Sequence, residues 1–126
     1  MPKQILESPN GPSVLGPYSI ATEANGFVFL SGMVALNPKT GEAVTGGVIP
    51  ETHQVLKNIR AVLGDVGLGF DDVVKTTIFL ADMDDFSNVN AVYSEYIGDA
   101  KPARSTIEVA ALPRGFRVEI ECIAAR

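Results

Sequence analysis

The chain has 126 residues, of which 46% are apolar and 20% charged, and 15 acidic against 10 basic side chains leave a net charge of −5. That is one domain's worth of globular polypeptide, too short for separate catalytic and regulatory domains and too apolar to stay disordered. The acidic balance counts against a nucleic-acid binder, which gains affinity by neutralising phosphates, and one cysteine with one histidine excludes an internal disulfide and a Cys/His zinc site within one chain.

In chain order, residues 1–12 lack the long apolar core of a secretory signal. Residues 3–6 fit a short strand. Residues 18–24 and 27–32 read as strands joined by Asn25-Gly26, because both central positions of a type I′ turn require positive φ. The longest apolar stretch, residues 27–36, is broken by Ser31 and Gly32 and is too short to cross a bilayer. The protein is therefore expected to be soluble and cytoplasmic. Asn37-Pro38-Lys39-Thr40-Gly41 is a turn.

Residues 50–64 are expected to form a helix, with Val55, Leu56, Ile59, Val62 and Leu63 on one apolar face. Pro50 suits its first position and Gly64 or Gly67 its end. Residues 73–80 are a strand rich in β-branched side chains. A second helix covers 85–97, with Asp84 or Asp85 as its cap and Phe86, Val89, Val92, Tyr93, Tyr96 and Ile97 inward. Residues 104–110 and 117–124 complete the strands, joined through Leu112-Pro113-Arg114-Gly115.

The order β-β-β-α-β-α-β-β implies a mixed sheet with both helices on it. Two helices cover one face only, yet residues 27–30 and 73–80 carry apolar side chains on both faces. Self-association through the open face solves this and puts any pocket at a boundary between copies.

Charge is segregated: residues 1–100 carry five basic and twelve acidic side chains, residues 101–126 five basic and three acidic. A basic end on an acidic protein attracts an anion, although solvated strand ends produce the same pattern. There is no P-loop and no GxGxxG; Gly67-Leu68-Gly69 is too short a match. His53, in the first turn of a helix, reads as a half-exposed polar residue. Cys122 alternates with Val118, Ile120 and Ala124 and reads as a small core residue.

The informative segment is residues 101–110. On a strand, Arg104, Thr106 and Glu108 share one face, and Ser105, Ile107 and Val109 the other. Arg104 follows a proline-containing loop, so its guanidinium stands at a rim where it can hold a carboxylate with two parallel hydrogen bonds. On the strand that follows, Glu119 and Glu121 point away from Val118, Ile120 and Cys122. A glutamate there could activate a water opposite the arginine; the bland alternative is a cross-strand Arg–Glu pair that solvates a sheet face.

Gly16-Pro17-Tyr18-Ser19, Phe29-Leu30-Ser31-Gly32, the run Asp72 to Leu80, the run Phe86 to Asn90, and Pro102-Ala103-Arg104-Ser105 paired with the run Arg117 to Glu121 together resemble the RidA family. These are the reactive intermediate deaminases, also called YjgF-type proteins. The resemblance runs from about residue 12 to 126. It implies a chorismate mutase-like α+β sandwich, two helices on one face of a mixed sheet, assembled as a homotrimer with sites in clefts between subunits. It also implies hydrolysis of 2-enamino and 2-imino acids such as 2-aminoacrylate and 2-iminopropanoate to 2-oxo acids and ammonia, without cofactor or metal.

By position, Arg104 matches the arginine that holds the substrate carboxylate and Glu119 the glutamate beside the attacking water. Tyr18, Ser31, Gly32, Phe86 and Asn90 match cleft-lining residues. Thr106 stands where many members have cysteine, so no thiol is expected to be required. Ile20 and Met33 stand where many have glutamine, which either makes the cleft's surroundings more apolar and shifts substrate preference or is neutral packing drift. Two other functions use the same features: a non-catalytic protein that senses small carboxylates, and the ribonuclease or translation-inhibitor activity attributed to some relatives. The latter lacks a basic, aromatic stripe here.

Overall fold

In the computed structural model, which describes residues 2–126, Asn25 and Gly26 take φ of 54° and 80°. They turn β2 (Ala21–Ala24) into β3 (Phe27–Met33) as an Asn-Gly pair favours. The remaining elements are β1 (Gln4–Leu6), α1 (Val48–Asp65), β4 (Val73–Leu80), α2 (Phe86–Ile97), β5 (Ala103–Glu108) and β6 (Val118–Ala125), with single 3₁₀ turns at Phe70–Asp72, Met83–Asp85 and Pro113–Gly115. All six strands form one sheet in the order β1-β2-β3-β6-β4-β5. Only β4 and β5 are parallel, and α2 is their crossover.

The last strand in the sequence thus inserts between β3 and β4. That corrects the cross-strand Arg–Glu alternative: β4 separates β5 from β6, so Arg104 and Glu119 do not lie on neighbouring strands. The order follows from burial. Val118, Ile120, Cys122 and Ala124 are all buried, and a strand with a wholly apolar face is best covered at the middle of a sheet. The short β1 and the exposed β5 take the edges.

Both helices pack on the face bearing Val28, Leu30, Ile78, Leu80, Val118 and Ile120, and Val55, Leu56, Ile59, Val62 and Leu63 of α1 are all buried there. The opposite face is open in one chain. It carries Phe27 (44% exposed), Phe29 (42%) and Ile107 (44%) beside Lys75, Thr77, Glu119 and Glu121.

Element ends differ from the sequence expectation for local reasons. Strand β2 begins at Ala21, not at residue 18, because Tyr18 N–H closes a tight turn onto Gly16 O at 2.9 Å. Helix α1 begins at Val48, two residues before Pro50, and first-turn N–H groups have no intrahelical acceptor, so the proline costs nothing there. The glycine that stops it, just past Asp65 and Val66, is Gly67 rather than Gly64. Gly67 has φ 81°, its N–H reaches Gly64 O, and Leu68 N–H reaches Leu63 O at 2.8 Å, closing a Schellman motif. Asp85 holds the N-cap position of α2 but its side chain makes no capping hydrogen bond; the Asp82 side chain accepts Asp84 N–H at 2.9 Å, one turn earlier. Phe86 is 36% exposed and is not a core residue.

Two buried polar side chains tie the layers together. Glu51 Oε1 accepts the Arg117 N–H at 2.9 Å, joining the start of α1 to the start of β6. Asn58 donates to Val34 O at 3.2 Å and Leu36 O at 2.8 Å and accepts from Gln54 Nε2 at 2.8 Å, which pins the loop after β3 to α1. Asn58→Ala removes both donors in a buried setting and is expected to cost about 2 kcal/mol. Urea unfolding with an unchanged m-value checks this; a loss below about 0.5 kcal/mol would mean the loop is held by its apolar side chains instead.

Candidate active site

Arg104, second residue of β5, pairs with Thr76 of β4, and Thr76 pairs on its other side with Cys122 of β6. Paired residues share a face, so the Arg104 side chain rises on the helix side of the sheet. There it meets α2. Its Nη1 donates to Asn90 Oδ1 at 2.7 Å, and its guanidinium carbon lies 5.0 Å from the Tyr93 ring centre and 5.7 Å from that of Phe86. A 2.8 Å hydrogen bond between the Tyr93 hydroxyl and Thr76 Oγ1 fixes the Tyr93 ring in turn. Among the described residues the single ion pair is Arg126–Glu23. Arg104 is therefore oriented by an amide and two rings, exposed, and without a carboxylate partner. Its remaining N–H groups are free to grip an incoming acid.

The sequence reading placed Tyr93 in the core and missed this role. The signal was present: Phe86, Asn90 and Tyr93 follow at helical spacings of four and three and so share one stripe. Thr106 lies two residues beyond Arg104 on the same face, and its hydroxyl oxygen is buried without a hydrogen-bond partner.

Glu119 belongs to a second group. It pairs with Phe79 and so points to the open face. Opposite it, the register of β3 shifts between Leu30 and Met33, at Ser31 and Gly32. A Cβ on Gly32 would overlap the Glu119 carboxylate where it stands, so the glycine lets that carboxylate lie against the β3 backbone. Ser31 Oγ donates to Ser19 O at 2.6 Å, and Ser31 N–H to Ile20 O at 3.0 Å, which fastens the segment carrying Tyr18 to the shift. Tyr18, Ser31 and Gly32, with Ile20 and Met33, line a recess of about 50 Å³. Burial holds the Glu119 carboxyl above the usual carboxylate range, and nearby Glu121 adds to this. A carboxyl shifted upwards is a stronger proton acceptor than an ordinary one and can return the proton it takes.

Within one chain the two groups do not meet. Arg104, Asn90 and Phe86 stand on the helix side with Thr106, while Glu119, Gly32, Ser31 and Tyr18 gather about the register shift at the far end of β3. A larger depression of about 430 Å³ lies beside β1, walled by Ile5, Pro12, Val14 and Tyr18, but holds neither Arg104 nor Glu119. Other chemistry is poorly supplied. His53 Nδ1 lies 2.8 Å from the Tyr96 hydroxyl, at the contact between the helices. Burial pushes the Cys122 thiol up to about 12, so it stays protonated. Among the described residues no three His, Cys, Asp or Glu side chains gather as a metal site, and no helix is long and apolar enough to cross a membrane.

Comparison with known proteins gives the family. The family model described as Endoribonuclease L-PSP matches residues 8–126. The chain belongs to this family, the RidA or YjgF family. One RidA-family relative, a 2-iminobutanoate/2-iminopropanoate deaminase of Mus musculus, is 46% identical over 97% of this chain and 90% of its own. A Rid-family protein from Yersinia pestis, 47% identical, superposes with a TM-score of 0.95 over 99% of this chain and 100% of that one. The structure of TdcF from E. coli with bound serine, 34% identical, covers 98% of both chains with a TM-score of 0.91. The mixed six-stranded sheet with two helices on one face is the RidA fold.

Proposed function

We propose that this protein hydrolyses small 2-imino and 2-enamino acids, such as 2-iminopropanoate and its tautomer 2-aminoacrylate, to 2-oxo acids and ammonia. The observation that carries the reading is Arg104: a guanidinium held by Asn90, Tyr93 and Phe86, with no carboxylate of its own. Such a group is built to receive a small acid. The deaminase name of the mouse relative and the serine bound to TdcF support the same substrate class.

The reaction runs in a cleft between two copies of a homotrimer. One copy supplies Arg104, Asn90, Phe86 and Thr106, and its neighbour supplies Glu119, Gly32, Ser31 and Tyr18. The opposite faces of Arg104 and Glu119 within one chain support this division, as do Phe27, Phe29 and Ile107, which leave an apolar surface uncovered. Arg104 binds the substrate carboxylate and orients the C=N bond. The imine enters as its iminium cation; Glu119 takes a proton from water as the oxygen attacks the imine carbon, and the nitrogen becomes an amine on a tetrahedral carbon. Glu119 then returns the proton to that nitrogen and takes the proton of the new hydroxyl as the C–N bond breaks, so that ammonia leaves as the carbonyl forms. An imine is already electrophilic, so placement and proton transfer suffice without a cofactor.

The family description names an endoribonuclease, but the net charge of −5 weighs against an RNA substrate. A purely carboxylate-sensing role would use Arg104 and dispense with turnover. Coupling the protein to a serine or threonine dehydratase decides between them. Release of the 2-oxo acid should outpace the spontaneous rate by about tenfold or more. Thermal stabilisation by pyruvate with no acceleration would leave the sensor.

A further inference from the structure

We infer that a cavity between Arg104 and Lys101 binds hydrogen phosphate, and that the anion held there competes with the substrate carboxylate for Arg104. The cavity measures about 240 Å³ and runs along the end of α2 and the loop to β5, walled by Tyr93, Ser94, Ile97 and Pro102. Phe86, Asn90 and Thr106 do not line it, so it meets the candidate active site only at Arg104 and Tyr93. Charge is the first argument. Lys101 and Arg104 both line this space, no acidic side chain does, and neither cation joins an ion pair among the described residues. Like charges facing one space repel, and an anion between them removes the repulsion. The carbonyl end of α2, which would otherwise draw a cation, is closed by backbone donors: Gly98 N–H reaches Ser94 O at 3.0 Å and Ala100 N–H reaches Ile97 O at 3.1 Å. Backbone strain is the second argument. Lys101 has φ 47°, a left-handed conformation that costs a lysine and not a glycine. Glycine would close the turn without strain, so the turn does not account for a lysine here.

The donors and acceptors select the anion. A carboxylate is satisfied by the planar Arg104 fork and leaves Lys101 unpaired. A tetrahedral dianion presents oxygens in several directions and matches two cations in charge. At about 30 Å³ for each water of the liquid, the cavity has room for several waters and so for such an oxyanion. Hydrogen phosphate also carries one proton, which needs an acceptor. Ser94 Oγ has already given its own proton to Asn90 O at 2.9 Å, so on the cavity wall it has only lone pairs to offer. Sulfate has no proton to place there. Phosphate in the cavity takes up the charge and N–H groups of Arg104, so substrate binds more weakly while Glu119 is untouched. This competition rests on the deaminase reading above; the phosphate site does not.

The test uses the full-length protein and inorganic phosphate, in a buffer above neutrality that holds no other oxyanion, with ionic strength kept constant by chloride. Isothermal titration calorimetry should give one phosphate per chain with a Kd of about 1 mM or tighter, and sulfate should bind about tenfold more weakly. Lys101→Gly removes the ammonium and keeps the left-handed turn. It should weaken phosphate about tenfold and melt close to wild type. Ser94→Ala should bring the phosphate and sulfate affinities together. In the hydrolysis of 2-iminopropanoate, phosphate at about ten times its Kd should raise the apparent KM about tenfold with kcat unchanged, and in Lys101→Gly the same concentration should raise KM only about twofold over that variant's own phosphate-free value. No phosphate binding, binding unmoved by Lys101→Gly, or sulfate bound as tightly as phosphate would overturn the site. Phosphate bound with KM unmoved would overturn the competition. No turnover of any imine would remove the deaminase reading, and the calorimetry would still decide whether the site exists.

Discussion

Arg104→Ala is expected to lower kcat/KM for 2-iminopropanoate by about 100- to 1000-fold, because it removes the group proposed to hold and orient the carboxylate. Arg104→Lys keeps the charge but loses the planar fork and the stacking on Tyr93 and Phe86, so it should recover only part of the loss. Asn90 and the two rings fix the guanidinium from one side only, so folding of the variant should be little affected and circular dichroism should match wild type. The same variant tests where the site is assembled. Arg104→Ala and Glu119→Gln copies, each inactive alone, are refolded together in equal amounts. If Arg104 and Glu119 of one site come from different copies, random mixing restores about a quarter of the sites. A site completed within one chain would restore none. Full activity in Arg104→Ala would dispose of the carboxylate grip altogether.

Glu119→Gln should lower kcat by about 1000-fold while leaving KM nearly unchanged, since the amide fills the same space but takes no proton from water. The pH dependence follows from the raised pKa. In the proposed mechanism the carboxylate is the working form, so activity should be lost as pH falls through the pKa of Glu119, and burial with Glu121 nearby puts that limb above the ordinary carboxylate range. Glu121→Gln removes the smaller of the two causes and should move the limb to lower pH with activity retained. Stability carries the opposite sign. A carboxyl whose folded pKa is raised favours the folded state while protonated, and that contribution is lost as pH rises from the ordinary carboxylate range through the raised value. Glu119→Gln, neutral at every pH, should therefore melt higher than wild type at pH 7 although nearly inactive. A variant that lost activity and stability together would mark Glu119 as a structural residue.

Legibility in the sequence divided by range. Local chemistry announced the Asn25-Gly26 turn, the apolar stripe of α1, the bounds of β4 and the shared face of Arg104 and Thr106, because each depends on residues within a few positions of one another. The segments that resemble RidA proteins pointed to Arg104 and Glu119 as the pair to watch. The place of Tyr93 beside Phe86 and Asn90 was written in their spacing but hidden by its aromatic ring, which reads as core.

Strand order was decided only in three dimensions. Nothing local distinguishes a β6 beside β5 from a β6 inserted between β3 and β4, because strands choose neighbours by long-range burial and not by sequence distance. That choice separates Arg104 from Glu119 and turns them to opposite faces. It also sets Glu119 against Gly32 across the register shift in β3. The sequence by itself determined which side chains each element presents and on which of its faces. The tertiary structure decided which of them meet, because side-chain alternation is a property of one strand and proximity is a property of the sheet.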